Sequence, residues 1–227
     1  MDAALVSLIA ASAFFVGSHF AMSHPLRAPM VRVLGPTGFQ GAYSLISIAA
    51  IVWMYFAFKA VDAPALPLWA GFDDVSWVAG SLFTLLGMVL LAGSFAGNPA
   101  LPAPGAEDAA RKEPAGVFLI TRHPMMWGFS LAAIGHLIAA PTSRTLVVMS
   151  SVIMLALVGA RMQDRKKETL MGDAWRQWES RTNYWPRWSR LLQVKPALWM
   201  AGLALWLLLT WLHTPAGGLP AGLWRWI

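Results

Sequence analysis

Six apolar stretches, at about residues 3–22, 41–58, 77–96, 124–140, 146–160 and 196–213, constrain this chain more than any other feature. About 20 predominantly apolar residues in a helix cross roughly 30 Å of hydrocarbon. Inside lipid every backbone N–H and C=O must find a partner within the protein, which leaves the helix as the element for stretches of this length. The expected fold is all-α: a polytopic membrane helical bundle of about six transmembrane helices, forming one integral domain over residues 1–227. The fifth stretch is short for a span and is expected to extend through Met162. Composition agrees, because 57% of the residues are hydrophobic and only 12% charged, against about 25% charged in soluble domains. Thirteen tryptophans suit a chain that lives at the boundary of apolar and wet phases. The absence of cysteine excludes disulfides, thiolate metal ligands and a cysteine nucleophile. No basic residue precedes the first stretch, so it is read as a retained helix rather than a cleaved signal.

Lysine and arginine give the orientation. The loops after the first, third and fifth stretches hold Arg27, Arg32, Arg111, Lys112, Arg122 and nine more from Arg161 to Lys195, fourteen in all. The other side holds Lys59, Arg144 and Arg225. The positive-inside rule places the fourteen in the cytoplasm and both termini in the periplasm, as in a bacterial inner membrane. The net charge of +6 is then a topological signal, and nucleic acid is not an expected partner. Membrane lipid and an apolar small molecule are. Of the basic loops, "AGNPALPAPGAEDAARKEPAG" reads as an irregular connection. "RMQDRKKETLMGDAWRQWESRTNYWPRWSR" reads as a cytoplasmic amphipathic helix on the membrane surface, with helical spacing of Leu170, Ala174 and Trp178 and its tryptophans at headgroup depth.

Ionisable residues inside membrane segments are costly and mark function by default. His19, in "FFVGSHFAMSHPLR", and His136, at the end of "MMWGFSLAAIGH", are such residues. The structural alternative for each is an imidazole that donates to a carbonyl of a neighbouring helix. His24-Pro25 and His123-Pro124 each put proline where a helix can begin, so either histidine can be an N-cap. Arg122 adjoins His123, and a cation and an imidazole at a helix N-terminus can seat a carboxylate or phosphate. His136 lies about 20 Å further along the helix axis and about 140° around it, so His123 and His136 do not serve one site. Met125, Phe129, Ala132, Ala133 and Ala140 share the face of His136. Its alanines leave room for a flat apolar group, or else allow close helix packing. Two buried histidines without an acidic cluster or thiol suit haem iron, whose porphyrin supplies the other four nitrogens. One difficulty is depth: His19 lies about 5 Å from the cytoplasmic end of its span against about 20 Å for His136. Axial ligands of one iron need nearly equal depth, and iron held by a single histidine stays open.

Three blocks together, "GSHFAMSHPLRAPMVRVLGPTGFQGAYSLISIAAIVWMYFAF", "GVFLITRHPMMWGFSLAAIGHLIA" and "GARMQDRKKETLMGDAWRQWESRT", resemble the NnrU family over most of residues 10–190. The plant relative in that family is 15-cis-ζ-carotene isomerase, a membrane haem b enzyme. The resemblance implies haem b held by His19 and His136, and it matches His123 to the histidine of the family's "RHP". Arg27, Arg122 or His123 would then compensate the haem propionates. The isomerase has a cysteine three residues before its second haem histidine; this chain has Ala133 there, so an exchange of that cysteine onto iron is not available. The implied activity is cis–trans isomerisation of an apolar polyene. The name of the family implies another role, as a non-enzymatic accessory factor in nitrogen-oxide respiration.

A second set of residues, Arg122, His123, Glu168, Leu170, Gly172, Trp175 and Trp178, is similar to the isoprenylcysteine carboxyl methyltransferase group. Lys167 stands where that group has the first of two glutamates. This resemblance implies S-adenosylmethionine as cofactor and methyl transfer to a membrane-soluble acceptor, with Arg122, His123 and Glu168 around the cofactor.

Overall fold

The computed structural model describes residues 2–62, 67–216 and 218–227. Among them the chain is helical throughout, with short 3-10 turns and no strand. Eight α-helices follow in order: α1 (Ala3–Ser23), α2 (Arg27–Ala60), α3 (Asp74–Gly93), α4 (Ala106–Arg111), α5 (Pro124–Ala139), α6 (Ser143–Met171), α7 (Asp173–Arg181) and α8 (Pro196–Trp211). Four of them, α1, α2, α3 and α6, are long and apolar enough to cross a membrane. Two more, α5 and α8, are apolar but have 16 residues each.

These six helices pack as a row rather than a ring, each against its neighbour in the order α2–α1–α6–α5–α3–α8. The tightest contact is α3 on α5, and glycine makes it. Gly80 and Gly87 on α3 lie two turns apart and meet Gly135 and Gly128 on the antiparallel α5. A Cβ on Gly87 would sit 2.6 Å from the Gly128 carbonyl oxygen, and one on Gly80 2.6 Å from that of Gly135. Small residues let helix backbones touch where lipid supplies no hydrophobic drive to associate. The close packing of α5 on α3 runs through Gly128 and Gly135, which lie about 80–100° around the helix from His136. On the other side of α3, Gly202 of α8 abuts the backbone of Val89. Thr84 of α3 accepts a hydrogen bond from the Trp206 indole of α8 at 2.9 Å.

Two elements run further than expected. The second begins at Arg27 and bends at Gly35, whose φ of 70° interrupts the helix just before Pro36. His24 consequently closes α1, its N–H donating to the Phe20 carbonyl, instead of capping a helix that starts at Pro25. The fifth does not stop at Met162: α6 continues to Met171 and breaks at Gly172, where φ is +54°. That left-handed turn folds α7 back against the bundle. As expected α7 is amphipathic, but its apolar face lies against protein. Ala174, Trp175 and Trp178 are fully buried with Val117, Phe118 and Ile120, so these tryptophans are core and not headgroup anchors. Leu170 points outward. The connection expected to be irregular contains the short helix α4, which packs on α7.

Candidate functional site

One end of the bundle gathers the basic loops. Arg122 and His123 stand at the start of α5, with His123 as N-cap and Pro124 at the first helical position, as the "RHP" spacing predicts. The anion they await is supplied by the chain itself. Asp164, on the extension of α6, accepts from Arg122 Nε at 3.0 Å and from an Arg122 terminal nitrogen at 2.6 Å. His123 Nε2–H donates to the same carboxylate at 2.7 Å. Arg122 also meets Glu179 of α7 at 3.1 Å. The triad is shut away from solvent, with Arg122 at 7%, His123 at 2% and Asp164 at 6% exposure. A bidentate guanidinium and an imidazole N–H satisfy a buried carboxylate as well as side chains can. Burial is the main influence on Glu179 and pushes its carboxyl above the ordinary range, against the pull of Arg122.

The segment after α7 closes over this triad. The Arg122 backbone N–H donates to the Asn183 carbonyl at 2.8 Å, and Thr121 Oγ1 donates to that of Tyr184 at 2.8 Å. The Tyr184 ring lies edge-on to His123 and carries the Arg122 and Arg161 guanidinium groups at 5.7 and 5.6 Å. Its hydroxyl donates to the Leu157 carbonyl at 2.6 Å, and burial raises its pKa. His123 Nδ1 is buried and has no partner. Asp164 holds the imidazole through Nε2–H, so the two form an oriented carboxylate–imidazole pair.

A second polar feature lies beside it. Lys167, also on the buried face of α6, donates to the carbonyls of Pro99 and Leu101 at 2.8 and 3.2 Å. Gln163 donates to Ala100 at 2.8 Å. Helix α6 thereby holds the loop before α4 in place. In front of them opens a cavity of about 660 Å³ between the bent start of α2 and the end of α6. Arg27, Lys166, Tyr43 and Phe39 face it. Glu168, by contrast, is on the surface near Arg176.

The two histidines nominated as iron ligands lie apart. His19 Nδ1–H donates to the Phe15 carbonyl one turn back at 2.7 Å. Its ring contacts Phe15 and Tyr43. Ser47 Oγ of α2 is 3.3 Å from Nε2 but also donates to the Tyr43 carbonyl at 2.8 Å. His136 Nδ1–H donates to the Ala132 carbonyl at 2.7 Å, and its ring lies near that of His213, 5.9 Å between centroids with 25° between planes. Phe20, next to His19, reaches Gly159 on α6, five residues before Asp164. Counting 1.5 Å per residue from the Asp164 level puts His19 about 7 Å along the bundle and His136 about 20 Å. The structure brings together Arg122, His123 and Asp164; it does not bring His19 to His136, and Arg27 lies on the cavity whose wall includes Tyr43, the ring against His19.

As donors the imidazoles suit iron. A metal-binding histidine anchors one ring nitrogen on a carbonyl and presents the other, and His136 and His19 both have that anchor. Among the described residues no group of three or more His, Cys, Asp or Glu side chains could hold a bare metal ion. Asp164, Glu179, Tyr184 and His213 were not foreseen from sequence. Only Asp164 had a signal there: Ala156, Ala160, Asp164 and Lys167, all buried, fall on one helical face.

A family model described as NnrU protein matches residues 7–221. No curated protein and no solved structure matches the chain.

Proposed function

The chain belongs to the NnrU family, and on that premise we propose that it is a haem b-binding integral membrane protein that isomerises an apolar polyene. The observation that supports this reading is the state of His136: a half-buried imidazole on an apolar helix, with Nδ1–H fixed on the Ala132 carbonyl and Nε2 unbonded among the described residues. Bound there, haem b would supply an iron able to lend an electron to a conjugated chain and so lower the barrier to double-bond rotation. The residues of the chain bind and orient. Ala132 sets the tautomer and direction of His136, and the Gly80–Gly135 contact fixes the α5 backbone on which it stands. Arg27 and Lys166 give the bundle a cationic mouth for a negatively charged group. Arg122 and His123 are engaged with Asp164 and serve architecture in this reading.

The proposal includes the setting. Helices α1, α2, α3, α5, α6 and α8 all cross a bacterial inner membrane, with the Arg122 end in the cytoplasm and both termini in the periplasm. The clustering of Arg27, Arg122, Arg161 and Lys166 at one end and of Arg144 and Arg225 at the other supports it. The absorption spectrum of protein purified from haem-replete cells is the test. A Soret band is expected, lost in His136→Ala and kept in His24→Ala. Colourless wild-type protein would refute the reading.

A second reading, methyl transfer from S-adenosylmethionine, draws on the unpartnered Nδ1 of His123 beside Asp164. Calorimetry with S-adenosylhomocysteine separates the two, since haem binding gives that ligand no place. A third role, as an accessory factor in nitrogen-oxide respiration, would show as haem binding without turnover of polyenes.

A further inference from the structure

We propose that the cavity between the bent start of α2 and the end of α6 binds the phosphate headgroup of an anionic phospholipid, with Arg27 and Lys166 as its cationic contacts. The site stands apart from the haem reading above. Its volume of about 660 Å³ falls within the range of small-ligand pockets, about 300–1,000 Å³. A second cavity of about 340 Å³ shares Ser23, Arg27, Lys166 and Leu170 with it. Among the described residues no aspartate or glutamate lines either one.

Arg27 and Lys166 lack a counter-ion. The Arg27 guanidinium lies over the Phe39 ring at 5.7 Å, and neither it nor the Lys166 ammonium has a hydrogen bond or ion pair among the described residues. The carboxylates nearest to Lys166 in sequence are engaged elsewhere: Asp164 by Arg122 and His123, Glu168 by Arg176. Two cations facing one cavity without an anion repel each other, and a bound anion relieves both. A phosphate offers oxygens for each, two to the planar fork of the arginine and a third to the lysine. The hydroxyls of Ser23 and Tyr43, 3.3 Å apart in the same wall, are further donors.

Depth selects a lipid as the carrier of that phosphate. The apolar stretch of α6 ends at Met162, and Lys166 stands four residues, about 6 Å, beyond it. The headgroup layer occupies about 5–8 Å on each side of the hydrocarbon. Val31, Pro36 and Phe39 make the opposite wall apolar. Ser44 of that wall shares a helical face with the exposed Ile48 and Val52, one and two turns further along α2. Acyl chains fit along this face while the phosphate meets the cations, and basic pockets between membrane helices are a recurrent seat of acidic headgroups.

Native mass spectrometry of the full chain in uncharged detergent, titrated with phosphatidylglycerol and with phosphatidylcholine of the same acyl chains, tests the site. Wild type is expected to retain phosphatidylglycerol and to release phosphatidylcholine. At about a fivefold loss per basic residue, Arg27→Gln/Lys166→Gln is expected to bind phosphatidylglycerol about thirtyfold more weakly. The charge-keeping Arg27→Lys/Lys166→Arg is expected to retain it. So is Lys112→Gln/Arg165→Gln, which removes as much charge outside the cavity walls. Millimolar inorganic phosphate is expected to leave the lipid in place. Equal retention of the two lipids, unchanged affinity in Arg27→Gln/Lys166→Gln, or an equal loss in either control would overturn the site. Displacement by inorganic phosphate would overturn lipid as the carrier. Loss of a Soret band rather than of lipid in Arg27→Gln/Lys166→Gln would give the cavity to the carboxylates of haem and overturn the lipid site as well.

Discussion

Asp164→Ala is expected to destabilise the protein by about 3–5 kcal/mol, the usual loss when one member of a buried ion pair is removed. The reason is what stays behind. Arg122 has a side-chain exposure of 9% and would keep its charge with only Glu179 as a partial substitute. His123 Nε2 would join Nδ1 as an unpaired buried nitrogen. Unfolding in mixed micelles, or melting in detergent, measures the loss. The double variant Arg122→Met/Asp164→Leu is expected to recover more than half of it, because well-packed apolar residues replace a buried pair at little net cost. A loss below about 1 kcal/mol in the single variant would show instead that water reaches the triad, since only exposed pairs are worth so little.

Gly87→Val is expected to cost about 3 kcal/mol or more, at the upper end of overpacking. The new Cβ would lie 2.6 Å from the Gly128 carbonyl oxygen and 3.2 Å from the Ala132 nitrogen. Backbone cannot rotate away as a side chain can, so α3 and α5 would have to separate. Gly17→Ala in α1 is the matching control: a Cβ there meets nothing within 4 Å. It is expected to be neutral or to stabilise by up to about 1 kcal/mol, the helix-propensity difference of the two residues. Equal losses in both variants would mean that the α3–α5 contact is not what the glycines provide.

The helices that the sequence delimits best are those bounded by strong local signals. Pro124 and Pro196 open α5 and α8 at the expected residues, and the end of α1 differs from expectation by one. The errors share one cause. The second apolar stretch begins only near residue 41, yet helix is present on both sides of Gly35-Pro36, so α2 begins at Arg27. The run "DRKKETL" reads as the polar part of an amphipathic helix on the membrane surface because its charges are counted without their neighbours. In the fold Asp164 and Lys167 turn inward to a guanidinium and to loop carbonyls lying 42 and 66–68 residues away in sequence. The part of the site carried by "RHP" was legible, down to a seat for a carboxylate or phosphate; that a carboxylate of the chain itself fills it was a matter of tertiary contact. His213, followed by "TPAGG", looks like a loop residue, and its relation to His136 exists only because α5 and α8 share α3.

The ion pair at the start of α5 also carries a timetable. Arg122 leaves the ribosome 42 residues ahead of Asp164. While α5 and the apolar part of α6 are being made, the cation has no counter-ion and holds its loop on the side of synthesis, which helps each new helix to enter in the proposed direction. When Asp164 emerges the charge is neutralised, and the anchor of insertion becomes the clasp of the finished bundle.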